Sequence, residues 1–342
     1  MHSLAEEERE TRLYRQIETR LNDIEIDEHG MYKVGMNATD VKAVELLVRC
    51  LLSPKHSQKK LRLRFYSASI VFPEVMWDLA NLEELIFDCP DDDIKEFIPP
   101  TINKLVGLKK LTVEDYSSET FPENVCLLEH LQELHMFRCD LGTLPSSFAF
   151  LRNLLELDLE HNSFNKFPEV ICQLRNLRKL KLGANQLSSL PRSFANLRDL
   201  RFLDMSGNHF KEFPIVLCEL LNLETLWMEM NQLSELPLAI TKLVNLVYIH
   251  LAHNCLIRLP VFLGDLPNLK SVNRFESDRL RYLQQRKEIV RLTVIITGGF
   301  CAPNDTNPWT KFLVRGLYDP RLFLIIFDFA FEETSRKKFR AE

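Results

Sequence analysis

A spacing of 23 residues constrains this sequence more than any other feature. An apolar residue followed by proline recurs in nine pairs, with a first gap of 26 residues and gaps of 23 residues thereafter. A period of this size is typical of solenoids, in which each repeat is too small to bury its own apolar face and must stack on its neighbours. The prolines of these pairs are Pro73, Pro99, Pro122, Pro145, Pro168, Pro191, Pro214, Pro237 and Pro260.

The positions between the prolines repeat as well. The unit reads L-x-x-L-x-L-x-x-N-x-L-x-x-L-P-x-x-φ-x-x-L-x-N, where φ is apolar. This pattern resembles the leucine-rich repeat, in the phasing of the 23-residue class of intracellular proteins that includes the Ras suppressor, Scribble and the plant Ras-group proteins. The resemblance covers about residues 59–272. It implies an α/β solenoid, a leucine-rich repeat horseshoe with a parallel sheet on its concave side.

Each consensus position has a physical role. In "LELDLEHN", which ends at Asn162, the alternation of leucine with polar residues predicts a short strand with one buried face. The asparagine should point inward and satisfy backbone groups at the bend, so its loss should cost about 1–3 kcal/mol. The proline should begin a helical turn on the convex side. Tyr116 and Cys139 replace the asparagine in two early repeats, and the array is regular from about residue 108.

The repeats alternate in pairs. Three repeats with Phe-Pro carry a cysteine four residues after the proline, whereas three repeats with Leu-Pro carry alanine or threonine there. The phenylalanine precedes the proline in one kind of repeat and follows it in the other. This exchange indicates volume-conserving packing rather than redox or metal chemistry. We therefore expect these cysteines to stay reduced, because two repeats of separation, roughly 10 Å, exceed the reach of a disulfide. They are Cys126, Cys172 and Cys218.

The segments that flank the repeats divide the chain into three parts. Residues 1–58 are predicted to form a helical N-terminal cap, with a hairpin in "IEIDEHGMYKV" between two helices; the rival interpretation is a partner-binding helix. Residues 59–272 form the array of about nine repeats. Residues 273–342 read as a mixed α/β C-terminal segment that either folds back on the last repeat or docks another protein.

Composition excludes several classes of protein. Charged residues balance closely, with Lys+Arg 43 against Asp+Glu 48, so no part is basic enough to indicate nucleic acid as the main partner. The longest apolar stretch, "LFLIIF" at 322–327, is far shorter than the roughly 20 residues that span a bilayer. The acidic N-terminus does not resemble a signal peptide. We expect a soluble, cytoplasmic protein with no membrane insertion, most simply a monomer.

Motifs for catalysis and cofactor binding are missing from the sequence. It contains no P-loop, no G-x-G-x-x-G, no Cys-x-x-Cys and no His-Glu-x-x-His. His135 is predicted to approach Asp158 and His161 across one strand gap, which would suit a metal or acid–base pair, but a solvated surface is the default interpretation. We therefore predict a protein that is not an enzyme and has no cofactor and no metal.

Two functions remain. The first is a non-enzymatic interaction scaffold that binds a protein partner on its concave face, with intracellular signal transduction as its expected setting. The second is an adaptor that recruits an enzyme, such as a ubiquitin ligase or a phosphatase, through its C-terminal segment. The resemblance to the Ras-suppressor class implies a small-GTPase pathway as a setting, by analogy of fold.

Strand residues that alternate with the buried leucines should face the solvent on the concave side. Their side chains are acidic in the early repeats and aromatic in the late ones, and exposed aromatic residues are enriched at binding hot spots. The competing interpretation is that the C-terminal segment folds over the aromatic residues. The predicted partner-binding residues are Glu133, Phe137, Glu156, Asp158, Glu160, Phe202, Trp227, Met230, Tyr248 and His250.

Overall fold

The computed structural model describes residues 24–26, 32–36, 60–65, 77–88, 98–116, 118, 120–256 and 260–272. All of these lie in a compact unit that spans Met1–Ser277, and a second unit comprises Asp278–Glu342. The described residues form a single sheet of twelve strands whose order follows the chain. The strands are β1 Ile24–Ile26, β2 Tyr32–Met36, β3 Lys60–Phe65, β4 Glu84–Asp88, β5 Lys110–Glu114, β6 Glu133–Phe137, β7 Glu156–Asp158, β8 Lys179–Lys181, β9 Phe202–Asp204, β10 Thr225–Trp227, β11 Tyr248–His250 and β12 Ser271–Val272.

A hairpin begins the sheet. β1 and β2 pair antiparallel, with Ile24 opposite Val34, which confirms the hairpin predicted in "IEIDEHGMYKV". β2 then pairs in parallel with β3, and every later pair is parallel. The hairpin therefore covers the sheet edge that the first repeat would otherwise expose. The helices predicted in the N-terminal cap, and the whole predicted C-terminal segment, lie outside the described residues.

The parallel register aligns the consensus leucines. Leu134 pairs with Leu157, Leu157 with Leu180, and Leu180 with Leu203. These side chains are almost fully buried behind the sheet, and each such burial stabilises the fold by about 1.5–3 kcal/mol. Because the period along a strand is two, the residues on either side of each leucine must face the other way. The array thus fixes which residues reach the solvent.

Short 3-10 helices form the opposite side of the core. Each follows a consensus proline whose carbonyl oxygen accepts the first hydrogen bond, as in Val125 N to Pro122 O at 3.0 Å. The proline therefore caps the helix instead of beginning it, and the predicted helical turn is the tighter 3-10 form. The helices are Pro100–Lys104, Glu123–Leu127, Ser146–Phe150, Glu169–Gln173, Arg192–Asn196, Ile215–Glu219, Leu238–Lys242 and Val261–Asp265.

The two-repeat alternation is visible in the backbone as well as in the packing. Pro122, Pro168 and Pro214, which follow phenylalanine, have ψ angles of 100°, 102° and 106°. Pro145 and Pro191, which follow leucine, have ψ angles of 158° and 159°. The phenylalanine before the proline of one repeat contacts, edge to face, the phenylalanine after the proline of the next repeat. The ring centroids are 5.1 Å apart in Phe121–Phe148 and in Phe167–Phe194. Aromatic edge-to-face contact therefore explains the swap of bulk around the proline.

A ladder of asparagines, buried in the first four of its five members, holds successive repeats together. Asn162 donates from Nδ2 to the carbonyl oxygens of Met136 at 2.8 Å and Leu159 at 3.0 Å. Its Oδ1 accepts from the backbone N–H of Leu141 at 3.0 Å. Corresponding bonds, with the same offsets in sequence, recur one repeat at a time, which confirms the predicted role of the amide. The ladder comprises Asn162, Asn185, Asn208, Asn231 and Asn254.

Cys139 takes the asparagine position with half of its chemistry. The buried Sγ donates to the carbonyl oxygens of Val113 at 3.5 Å and Phe137 at 3.4 Å, as an asparagine Nδ2 would. The backbone N–H of Ser118, whose counterpart in later repeats donates to an asparagine Oδ1, donates here to Tyr116 O at 2.9 Å and to Cys139 O at 3.4 Å. A thiol is a weak donor, so this repeat is joined to its neighbour less strongly than the later ones.

The left-handed conformation occurs at the residue before each ladder asparagine and before Tyr116 and Cys139, which take the equivalent position in earlier repeats. Its φ lies between 51° and 63° in seven consecutive repeats, although only one of these residues is glycine. Left-handed backbone costs a residue with a Cβ roughly 1–2 kcal/mol, and the asparagine bonds that follow help to hold it. The sequence pattern did not predict this conformation, because the position carries no consensus residue. The seven residues are Asp115, Arg138, His161, Ala184, Gly207, Met230 and His253.

Candidate binding face of the sheet

The face of the sheet opposite the 3-10 helices, here called the concave face, presents its side chains in three rows. The first row crosses β5 to β11 through Lys110, Glu133, Glu156, Lys179, Phe202, Thr225 and Tyr248. The second runs in the same register through Thr112, His135, Asp158, Lys181, Asp204, Trp227 and His250. The third begins at Phe137, the last residue of β6, and continues past the ends of the later strands through Glu160, Gly183, Ser206, Glu229 and Ala252.

The first four strands of these rows, β5 to β8, form a charged region in which lysines pair with the predicted acidic residues. Lys110 Nζ lies 3.0 Å from Glu133 Oε2, and Lys179 Nζ lies 3.1 Å from Glu156 Oε2. Lys181 Nζ lies 2.8 Å from Asp158 Oδ2. The acidic surface read from the sequence is therefore largely paired within the sheet.

Glu160 lies close to both a lysine and other carboxyl groups. It shares Lys181 with Asp158, at 3.3 Å from Nζ to Oε2, and its carboxyl group approaches that of Asp204, two repeats away, over Gly183. Gly183 makes this approach possible, because a Cβ at that position would lie 3.2 Å from Glu160 Oε1 and 3.5 Å from Asp204 Oδ1. Burial, followed by the charge of Asp158, raises the pKa of Glu160 to about 7 despite the opposing effect of Lys181.

His135 is brought beside two glutamates rather than beside His161. Its Nε2 lies 4.0 Å from Glu133 Oε2 and 4.0 Å from Glu156 Oε2, a set of three groups that in principle suits a divalent metal ion. Both of those oxygens already accept a lysine ammonium group, which competes with any cation. Burial lowers the pKa of His135. The predicted approach of His135 to Asp158 is confirmed by their pairing in register; the approach to His161 is not seen.

His161 packs instead against Phe137, with ring centroids 4.9 Å apart. The guanidinium carbon of Arg138 lies 4.9 Å from the centroid of the same ring. Phe137 is on β6, three strands from Phe202, so it is separated from the other aromatic residues by roughly 14 Å. Phe137 therefore lies apart from the other aromatic residues that were predicted to bind the partner.

The other predicted residues lie on or just after three adjacent strands, β9 to β11; they are here called the aromatic region and comprise Phe202, Trp227, Met230, Tyr248 and His250. Trp227 contacts Phe202 edge to face and His250 at a tilt, with centroids 5.3 Å apart in each pair. The side chains of Trp227, Tyr248 and Met230 are exposed by 36%, 42% and 60%. A group of exposed large apolar side chains often marks an interaction site.

Comparison with known proteins supports the assignment of the fold. A family model described as leucine rich repeat matches residues 129–187 and 153–210. Residues 129–210 therefore contain leucine-rich repeats, and the fold is that of a leucine-rich repeat solenoid. Comparison with curated proteins gives no match.

Several solved leucine-rich repeat structures share the architecture. The ectodomain of the Arabidopsis thaliana receptor kinase GASSHO1/SCHENGEN3, in complex with CASPARIAN STRIP INTEGRITY FACTOR 2, aligns with a TM-score of 0.53 at 24% identity, over 62% of this chain and 26% of that one. The TLR13–ssRNA13 complex aligns with a TM-score of 0.57 at 23% identity, over 70% and 35%. The plant peptide hormone receptor RGFR1 with RGF2 aligns with 0.50 at 24%, over 73% and 40%. This chain spans between about a quarter and two fifths of those chains, and the likeness shows the fold alone.

The cysteines of the leucine-rich repeat domain behave as packing residues. Three of the 3-10 helices contain a buried cysteine, namely Cys126, Cys172 and Cys218. Burial raises the pKa of the Cys126 and Cys218 thiols to about 11 and raises that of Cys172 in the same direction. Thiols with raised pKa values are poor nucleophiles at neutral pH. Their burial confirms the structural interpretation made from the sequence.

A second asparagine ladder of the leucine-rich repeat domain was not predicted to have a function, although its residue appears in the consensus. Asn153 Nδ2 donates to Glu129 O at 2.8 Å, and Asn176 Nδ2 donates to Arg152 O at 2.9 Å. The same bond recurs at Asn222, Asn245 and Asn268. Asp199 interrupts the series, and an ionised carboxylate cannot donate.

No helix among the described residues is both long and apolar enough to cross a bilayer.

Proposed function

We propose that this protein is a non-enzymatic scaffold that binds a protein partner on its concave face, with the aromatic region as the anchor. The observation that carries the proposal is the exposure of Trp227, Tyr248 and Met230, which are the most exposed large apolar side chains that the described residues place on the concave face. Tryptophan and tyrosine are enriched at binding hot spots. The rigid sheet behind them also supports binding, because little conformational entropy is lost when the partner docks.

The charged region has a secondary role in this proposal. Its carboxylates Glu133, Glu156 and Asp158 already pair with lysines of the same face, and exposed ion pairs contribute little affinity on their own. We propose that they select the partner by charge and orientation. The sequence resemblance to the 23-residue class, a cytoplasmic location, a monomeric state and a signalling role in a small-GTPase pathway belong to the same proposal.

The proposal is tested by capturing partners from a cell lysate with the immobilised full chain and with the Trp227→Ala variant. Phe150→Ala is the matched control, because Phe150 is also exposed but lies at the end of a 3-10 helix on the other side of the domain. We expect a captured protein to be reduced at least tenfold by Trp227→Ala and to be unaffected by Phe150→Ala. A set of captured proteins that is the same for all three baits would contradict the proposal.

A further inference from the structure

The turns that join each 3-10 helix to the following strand form a second surface, at the edge of the domain where the strands begin. In each turn the backbone N–H of one residue donates to the carbonyl oxygen two residues before it, as in Arg152 N to Phe150 O at 2.7 Å and Arg175 N to Gln173 O at 3.0 Å. This shared backbone geometry presents the donor residue of every turn in the same way. The donor residues form one row, here called the turn row, which comprises Glu129, Arg152, Arg175, Arg198, Leu221 and Val244.

The outer asparagine ladder holds the turn row in place. Asn176 Nδ2 donates to the carbonyl oxygen of Arg152 at 2.9 Å, and the corresponding bonds reach Arg198, Leu221 and Val244. Strands of a parallel sheet are about 4.8 Å apart, so neighbouring members of the row are about 5 Å apart. The row is therefore a closely spaced series of side chains on a fixed backbone, which loses little conformational freedom when a ligand binds.

The middle of the turn row is basic. Arg152, Arg175 and Arg198 occupy three consecutive repeats, and Arg178 lies three residues after the second of them. All four residues are exposed, and none of them forms an ion pair with another described residue. The lysines of the charged region on the concave face, in contrast, are paired with carboxylates on neighbouring strands. The four guanidinium groups are therefore available to a ligand.

The acidic groups nearby do not neutralise this edge. Glu129 ends the row and Asp199 lies in one of the turns, and neither of them is paired with a cation in the part of the chain that the structure describes. Glu224 is already paired with Arg201, whose Nη1 lies 2.8 Å from Glu224 Oε1. The whole chain has more acidic than basic residues, 48 against 43. The excess of positive charge along the turn row is therefore local.

Exposed apolar side chains flank the arginines. Leu221 and Val244 continue the turn row after Arg198, whereas Leu127 and Phe150 carry the carbonyl oxygens that close the first two turns of the row. All four apolar residues are exposed, by 46% to 55%. Single exposed apolar residues are ordinary on protein surfaces, but these lie on both sides of a block of unpaired arginines. A ligand that covers this edge must therefore accept both kinds of group.

An anionic membrane surface accepts both. The planar guanidinium group of arginine binds phosphate through two parallel hydrogen bonds, and exposed apolar side chains enter the boundary between the headgroups and the acyl chains. A soluble polyanion would pair with the arginines and leave the four apolar side chains in water. The combination of charge and apolar exposure on one edge therefore favours a membrane over an acidic peptide or a nucleic acid.

We propose that the turn row, together with Leu127 and Phe150, is a peripheral membrane-binding surface that recognises anionic phospholipid headgroups. The inference goes beyond the proposed function and does not depend on it, because the aromatic region on the concave face uses different residues. The leaflet that faces the cytoplasm is the negatively charged one, which agrees with the proposed location.

The experiment measures the sedimentation of the full chain with two kinds of vesicle, one of phosphatidylcholine alone and one that also contains about 30% phosphatidylserine. Arg175→Gln with Arg198→Gln removes two positive charges from the turn row. Lys166→Gln with Lys211→Gln is the matched control, because it removes the same charge from exposed residues in the loops that follow the strands. Circular dichroism checks that each variant is folded.

We expect the parent to bind the vesicles with phosphatidylserine at least tenfold more tightly than the others, and to bind them less tightly at high salt. Because each basic residue near an anionic leaflet strengthens binding by roughly fivefold, the arginine variant should lose at least tenfold and the lysine variant less than threefold. Phe150→Ser with Leu221→Ser should lose at least threefold and keep the preference for phosphatidylserine. Trp227→Ala should bind vesicles like the parent.

Three results would overturn the inference. Equal losses for the arginine and lysine variants would mean that general charge, and not the turn row, attracts the vesicles. Loss of vesicle binding by Trp227→Ala would place the membrane contact on the concave face. A parent that binds soluble polyglutamate but not vesicles would identify an acidic protein segment as the ligand; this result would leave the proposed function standing, because partner capture is measured without vesicles.

Discussion

The charged and aromatic regions share one backbone and differ in what that backbone displays. Beneath both, consecutive leucines pair in register and buried asparagines join the repeats through bonds of the same offsets. Above them, Lys179 and Lys181 pair with carboxylates on β7, whereas Phe202 and Trp227 contact each other and leave aromatic surface exposed. In a solenoid, stability belongs to the positions that repeat, and recognition belongs to the positions that do not.

The largest expected effect tests whether the same buried asparagine bonds stabilise the two regions equally. Asn185 lies beneath the charged region and Asn231 beneath the aromatic region, and each donates to three carbonyl groups and accepts from one N–H. Replacing either with alanine leaves several buried groups unpaired, so we expect each to lower the free energy of unfolding by about 3 kcal/mol in urea denaturation. Cys139→Ala, which removes weaker thiol bonds, should cost about 1 kcal/mol. Clearly unequal losses for the two asparagines would show that the regions differ below the surface too.

The second effect separates the role of a side chain in binding from the cost of its backbone conformation. Met230 and Ala184 occupy the same left-handed position, with φ angles of 53° and 51°, in the two regions. Met230→Gly and Ala184→Gly should each leave the free energy of unfolding unchanged or raise it by up to about 1 kcal/mol. Only Met230→Gly should weaken partner capture, by about tenfold. Equal capture by the two variants would remove Met230 from the binding site.

A smaller effect belongs to the charged region and depends on pH. Glu160 has its pKa raised from 4.5 to about 7, so between these values the folded protein holds a proton that the unfolded chain has released. Its contribution to stability therefore falls as pH rises through this window. Glu160→Gln should melt about 1–3 °C above the parent at pH 8, allowing for screening by solvent, and match it at pH 4.5. A variant that melts lower at pH 8 would mean that the pairing with Lys181 outweighs the burial.

The smallest effect lies at the seam between the regions. Asp199 interrupts the outer asparagine ladder where β8 is followed by β9, and the equivalent carbonyl is that of Arg175. Asp199→Asn should restore the bond and raise the free energy of unfolding by about 0.5 kcal/mol, because the site is open to water. The midpoint of a urea titration measures this change, with Asn222→Asp as the reverse variant. If neither variant changed the midpoint, the outer ladder would not contribute to stability.

How far the sequence predicted these features depends on whether a property repeats. The strands, the buried asparagines and the alternation of bulk around the proline were predictable, because a fixed period of 23 makes the position of each side chain follow from its neighbours. The aromatic region was predictable for the same reason. Contacts across repeats were not: the pairing of Lys181 with Asp158, the approach of Glu160 to Asp204 over Gly183, and the left-handed backbone at Met230 depend on side-chain length and on carbonyl geometry, which a residue pattern does not encode.

Two adjacent residues on β10 offer the most direct test of the division between frame and face. Leu226 is completely buried, whereas Trp227 is exposed by 36% and touches Phe202 and His250 at its edges. In urea denaturation, Leu226→Ala should lower the free energy of unfolding by about 3 kcal/mol and Trp227→Ala by about 1 kcal/mol. In partner capture from the same preparation, Trp227→Ala should lose at least about 2 kcal/mol of binding free energy, close to thirtyfold in affinity. A Trp227→Ala variant that loses as much stability as Leu226→Ala and still captures its partners like the parent would place the tryptophan in the core and contradict the account.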